Sequence, residues 1–272
     1  MNKKWLAGPY LVWMVGFIVI PLLLIVYYGL TDKSGAFTLA NVLSISTPEH
    51  VKALYLSLGL SLVSTVICLL LAYPLAMILR NRGIGQGSFI VFIFILPMWM
   101  NFLLRTLAWQ TLLEKSGVIN GILTALHLPN QSLINTPGAI ILGMVYNFLP
   151  FMVLPIYNAL VKIDNDVISA AQDLGAGQWT ILRRIIIPLS LPGVVSGITM
   201  VMVPSISEFV IASMLGGGKV YLIGNVIEQA FNSGYADIHA GSGLSLSLMV
   251  LILISMVIYR FFDGEEGESS LW

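Results

Sequence analysis

The sequence predicts an all-α membrane protein, a single domain over residues 1–272 built as a bundle of six spanning helices. Of the 272 residues, 57% are hydrophobic and only 10% are charged. Soluble domains carry about 25% charged residues, so a water-soluble globular fold is excluded. Apolar runs long enough to cross a bilayer, which takes about 20 residues, recur six times. The formal net charge is zero and no basic run occurs, which leaves no electrostatic footprint for nucleic acid.

The first run, Pro9–Leu30, follows Lys3 and Lys4 in the manner of a signal peptide. Leu11 to Leu30 is long enough to span, however, and no small-x-small cleavage site follows it, so it reads as a membrane helix. The second, Val51–Leu79, contains the sole cysteine, Cys68; its apolar setting points to packing, with no disulfide framework or cysteine metal site. The third, Phe89–Leu113, includes Leu96-Pro97-Met98-Trp99-Met100-Asn101 and ends beyond Arg105. Asn101 and Arg105, four residues apart, share a helix face with Trp99 nearby, a cluster suited to the outer mouth of a path. Trp99 equally suits an interfacial aromatic belt, and Arg105 equally suits snorkelling or an ion pair.

The fourth run, Pro137–Leu160, is interrupted by Tyr146, Asn147 and Pro150, which either line the same cavity or hydrogen-bond across helices. In the fifth, Leu189–Leu215, the Gly193-Val194-Val195-Ser196-Gly197 pattern favours close helix contact. Glu208 stands in the middle of the same run. A charge at the bilayer centre costs about 2.5–3.5 kcal/mol on insertion scales, so Glu208 is either a path carboxylate facing a cationic substrate or an interhelical partner for Arg105 or an amide. The sixth run, Leu244–Phe262, leads into an acidic, glycine-rich tail, 263–272, expected to be disordered. Pro21, Pro74, Pro97, Pro150, Pro155 and Pro204 all lie inside apolar runs and predict kinks.

Six helices place both termini on one side. Lys3, Lys4, Arg80, Arg82, Lys162, Arg183, Arg184 and Arg260 fall on that face, against Lys33, Lys52, Lys115 and Lys219 on the other. The positive-inside rule makes the first face cytoplasmic. His50, His127 and His239 lie in separate outer loops without metal-ligand spacing, and no catalytic triad or carboxylate pair stands out.

The polar gap 161–188, on the cytoplasmic face, holds the most specific signal. Val167, Ala170, Ala171 and Leu174 recur at i, i+3, i+4, i+7, giving a short helix with one small apolar face. Asp164, Asn165 and Asp166 supply its cap and N-terminal negative charge, and Gly175 supplies its stop. Ser169-Ala170-Ala171 with Gly175, and Ile185-Ile186-Ile187-Pro188 nine residues later, resembles the cytoplasmic signature of prokaryotic ABC importer permeases: Glu-Ala-Ala, three residues, Gly, nine residues, Ile-x-Leu-Pro. Ser169 replaces the usual glutamate and Ile187 the commoner leucine.

The resemblance implies the type I importer permease (MetI-like) fold, in which Val167, Ser169, Ala170, Ala171, Leu174 and Gly175 form a coupling helix that docks on an ATPase. Further segments resemble permeases of spermidine/putrescine importers: Leu96–Trp99 with Asn101 and Arg105, Leu149–Tyr157, Asp173–Ala176 and Leu222–Ile227. On that likeness Trp99, Asn101, Arg105, Tyr146 and Glu208 are candidate path residues. The implied assembly holds a second homologous permease, two ATP-binding cassette subunits and an extracytoplasmic binding protein in a prokaryotic inner membrane. No Walker A sequence occurs, so ATP and Mg would be bound by the partner ATPase and this chain would be no enzyme. A permease for another small solute, or a stand-alone ion-coupled transporter or channel, are the alternatives.

Overall fold

A computed structural model of the chain describes residues 8–81, 98–232 and 237–268, with side chains placed as far as residue 257. Among them every regular element is helical. We label them α1 (Gly8–Gly29), α2 (Ala40–Leu43), α3 (Pro48–Asn81), α4 (Phe102–Leu113), α5 (Val118–Ala125), α6 (Pro137–Val161), α7 (Asn165–Asp173), α8 (Gln178–Ile206), α9 (Val210–Gly216), α10 (Ile223–Asn232) and α11 (Ile238–Glu268). Five are long and apolar enough to span: α1, α3, α6, α8 and the Ile238–Val257 portion of α11. The predicted third span, Phe89–Leu113, lies partly outside the described residues; its described end is the twelve-residue α4.

The centre of the bundle is α6, which packs most extensively against α3 and α8 and also meets α4 and α9. Its buried face runs through Ile140, Met144, Met152, Ile156 and Tyr157. The helix that meets it, α3, buries mostly small residues: Ala53, Ser57, Ser61, Ser64, Cys68, Ala72 and Ala76. At three- to four-residue spacing these form a flat stripe that lets backbones approach, the packing mode that replaces hydrophobic exclusion in lipid. Cys68 belongs to that stripe and is fully buried.

The Gly193–Gly197 pattern does what its spacing predicts. A Cβ on Gly193 would sit 2.5 Å from the Ala159 Cβ and 2.7 Å from the Pro155 carbonyl oxygen, and one on Gly197 would sit 2.7 Å from Met152 Sδ. At the other extreme, α1 has nothing buried across its spanning window and packs chiefly along α11.

Several predicted boundaries need correction. The loop 161–188 is shorter than expected, because helix resumes at Gln178 and Ile185–Pro188 already belong to α8. Pro188 is accommodated by a widened π-turn over Leu182–Ile186, just as Val15–Val19 precedes Pro21 in α1. Proline removes a donor and collides with the carbonyl four residues back, and a turn closed over five residues relieves both. The acidic tail is helical as far as Glu268 rather than unstructured, since extending an existing helix costs far less than starting one.

The contact at Gly193 gives a direct test. Gly193→Val should force α6 and α8 apart, costing about 1–3 kcal/mol as overpacking and lowering the melting temperature of the detergent-solubilised protein.

Candidate translocation path and coupling site

The predicted coupling segment is built by its caps. Asp164 is extended, φ −64° and ψ 137°, and its carboxylate accepts from the Asp166 N–H, closing the first turn of α7. The helix stops where Gly175 takes φ +81°, the left-handed geometry that glycine adopts without steric cost; its N–H donates to the Gln172 carbonyl at 2.8 Å.

The structure divides the predicted apolar face in two. Ala171 turns toward the core together with Ile168, which was not part of the predicted face, whereas Val167, Ala170 and Leu174 point out, Leu174 being 89% exposed. Ser169, where the signature has glutamate, donates its hydroxyl to the Asn165 carbonyl at 3.1 Å. No residue of α7 is buried, so its outer surface is free to be covered by another protein.

At the opposite end of α8 the fifth run does not continue through Glu208 as predicted. The helix ends at Ile206 and a new one, α9, begins at Val210. The hydroxyls of Ser205 and Ser207 turn back onto the carbonyls of Val201 and Pro204. The Glu208 carboxylate accepts from the Ile211 N–H at 2.9 Å, so it caps the first turn of α9 instead of pairing with a cation.

A broken helix at membrane depth is tolerated only where protein or a cavity satisfies the freed backbone, and here Asn225 does so. Its amide donates to the Phe209 carbonyl at 2.9 Å and to Ser213 Oγ at 2.7 Å, while its Oδ1 accepts from the Leu222 N–H. Gly224 lies flush against the same break: a Cβ there would meet the Ser207 carbonyl oxygen at 2.5 Å.

Beside the break opens a cleft of about 620 Å³ between α10 and α11, lined by Ser207, Phe209, Glu228, Phe231 and Asn232 with apolar residues of α11. Asn232 donates to Glu228 Oε1 at 3.0 Å. This cleft and Asn225 were not singled out by the sequence reading as sites; the signal for Asn225 was an amide directly after the apolar Leu222-Ile223-Gly224.

The remaining candidates do not gather around Glu208. Asn101 caps α4, accepting from the N–H groups of Leu103 and Leu104, and Trp99 is 75% exposed. Arg105 is only 8% exposed, yet forms no ion pair with Glu208; its Nε and Nη1 have no hydrogen-bond partner. Tyr146 meets Trp109 edge-on at 5.4 Å, and Asn147 bonds within its own helix, to the Gly143 carbonyl, rather than across helices. The ion pair among the described residues, Lys33–Asp237 at 3.0 Å, lies instead in the loops before α2 and α11, where the Lys33 hydrogen bond holds the Asp237 carboxyl below the usual carboxylate range. His239 in the same cluster bonds to the carbonyls of Tyr28 and Thr31. No group of three metal-ligating side chains occurs among the described residues.

The fold and the paired features define a membrane permease subunit. Residues 2–265 match the family of binding-protein-dependent transport system inner membrane components, and the chain belongs to that family as a permease subunit of an ABC importer. It is 33% identical over 255 residues to the spermidine/putrescine transport system permease protein PotB of Haemophilus influenzae, covering 91% of this chain and 89% of that protein. It is 34% identical to PotB of Escherichia coli strain K12, covering 91% and 92%. Among solved structures it resembles a bacterial alginate ABC transporter, with a TM-score of 0.72 at 18% identity over 96% of each chain. The MetNI methionine ABC transporter gives 0.51 at 20% identity over 80% of this chain and 94% of that one.

Asn225→Ala would strand the Leu222 N–H and remove one of the two bonds to the Phe209 carbonyl, which keeps the Ser213 N–H at 2.8 Å. Each unsatisfied buried group costs about 1–3 kcal/mol, so the variant should unfold several degrees earlier than wild type in a thermal scan.

Proposed function

We propose that this chain forms one half of the translocation path of a polyamine importer and transmits the stroke of an ATPase through α7. The carrying observation is the 33–34% identity to PotB permeases across 91% of the chain. The site supports the same reading. The half-buried carboxylate of Glu228 lines a cleft whose Phe209 and Phe231 offer aromatic faces, and Glu208 stands between the lining residues Ser207 and Phe209. Carboxylates and aromatic faces both attract ammonium groups, and apolar walls suit the methylene chain between them.

In this reading the exposed Val167, Ala170 and Leu174 seat in a groove of the ATPase, with Ser169 and Gly175 setting the pose of the helix. Two such ATPases bind ATP and Mg and carry out hydrolysis; this chain does no covalent chemistry. A second homologous permease completes the path, and it is a natural cover for α1, whose spanning window is exposed. A binding protein delivers substrate from outside. The eight-to-four asymmetry of Lys and Arg supports a cytoplasmic side for both termini and α7. Trp99, Asn101, Arg105 and Tyr146 serve the path as its wall and its outer rim.

Reconstituted with its ATPase, second permease and binding protein, the wild type should accumulate spermidine or putrescine in liposomes in an ATP-dependent manner. Glu208→Gln keeps an acceptor for the Ile211 N–H but removes the charge. Uptake should fall on the order of tenfold, the equivalent of losing one charge interaction of about 1.4 kcal/mol, with assembly unchanged. Wild-type uptake by Glu208→Gln would remove Glu208 from the path.

Gly175→Val forces a β-branched residue into left-handed geometry, a strain of about 1–2 kcal/mol. Binding-protein-stimulated ATP hydrolysis should be lost while basal hydrolysis by the ATPase persists.

A further inference from the structure

The coupling helix is joined to the membrane bundle by more than its covalent link to α6. Arg80, in the last turn of α3, reaches across with a single nitrogen. Its Nη2 donates to the Ile163 carbonyl at 3.0 Å and to Asn165 Oδ1 at 3.2 Å. Ile163 is buried in the bend between α6 and α7, and Asn165 is the first residue of α7. The Asn165 carbonyl in turn accepts from Ser169 Oγ. A run of polar bonds therefore leads from the end of α3 to the middle of α7.

Neighbouring carboxylates do not take the guanidinium. Asp164 accepts from the Asp166 N–H, and no ion pair joins Arg80 to either aspartate among the described residues. Ser169 adds no competitor, because its hydroxyl is committed to Asn165. Of the nine residues of α7, Ile168 and Ala171 are the ones that pack against the core, and two small apolar contacts define the rotation of a short helix poorly. A guanidinium bonded to both the bend and the first residue of α7 fixes that rotation, since charge-assisted bonds are the directional ones.

We propose that Arg80 is a positioning residue that latches α7 to α3, so that displacement of the coupling helix is delivered to α3 and α6 together. This rests on reading α7 as the ATPase-coupling element. The direct packing of α3 on α6 makes the two helices a unit that a latch at their cytoplasmic end can turn as one.

The test uses the complete transporter in liposomes, measuring basal ATP hydrolysis, binding-protein-stimulated hydrolysis and substrate moved per ATP. Arg80→Ala should assemble with the ATPase and retain basal hydrolysis, yet lose roughly five- to tenfold in stimulation and move fewer substrates per ATP, as expected for losing a pair of charge-assisted bonds. Arg80→Lys keeps a multi-donor cation and should restore at least part of the coupling. Asn165→Ala, which removes one acceptor and leaves the charge, should give a smaller loss, and adding it to Arg80→Ala should cost nothing further. Should Arg80→Ala not assemble, Asn165→Ala carries the test alone: a loss of stimulation supports the latch and wild-type stoichiometry overturns it. Gly175→Val, run in parallel, separates the two readings. If it uncouples while Arg80→Ala and Asn165→Ala both behave as wild type, the latch is wrong and the coupling role of α7 stands. If Gly175→Val also couples normally, α7 is not the coupling element and the latch falls with it.

Discussion

The whole arrangement depends on how closely α3 and α8 approach α6. In lipid no hydrophobic driving force pushes apolar helices together, so contact must come from shape and dispersion. The small residues of α3 and the glycines of α8 supply that shape from either side. With Gly193 against Pro155 and Ala159, and Gly197 against Met152, the two contacts hold the middle of α8 firmly to α6. Beyond Gly197 α8 carries no further glycine, and the helix ends at Ile206.

That break and α7 are two places where the chain leaves regular spanning helix, and each is stabilised by a local polar device. At the break, Glu208 caps α9 while Asn225 holds Phe209 and Ser213. At α7, Asp164 caps and Arg80 bridges. Both devices use a few directional bonds in place of buried apolar area. Such bonds can exchange partners without a large change in burial, which suits segments that must reposition during a transport cycle.

Features fixed by local chemistry were legible in the sequence. The spacing of Asp164, Ala170, Ala171 and Gly175 specifies a short capped helix with a left-handed stop, and that helix is present over Asn165–Asp173. Close contact at Gly193 and Gly197, and a packing role for Cys68, were equally readable because small residues at regular spacing have few other uses. The end of the fifth span was not. The run from Leu189 to Leu215 is apolar enough to read as one span, and the contacts of Asn225 with Phe209, sixteen residues apart, and of Gly224 with Ser207 add to the local bonds of Ser205, Ser207 and Glu208 at the break. The pairing of Glu208 with Arg105 failed for a related reason: sequence distance and opposite charge cannot reveal that a backbone N–H three residues away will take the carboxylate first.

Ser169 shows how a departure from a signature is read once geometry is available. On sequence alone it subtracts a carboxylate from the ATPase-facing helix. In the structure its hydroxyl returns to the carbonyl of Asn165, the residue that Arg80 holds, so the position makes a bond within α7. A glutamate there would present its carboxylate one turn from Asn165, within the neighbourhood of the same guanidinium, and would offer Arg80 an ionic partner in place of a neutral amide. The choice of serine thus keeps the cation bonded to the bend at Ile163 and the start of α7. The apolar surface formed by Val167, Ala170 and Leu174 is left as the part of the helix that a docking protein can read.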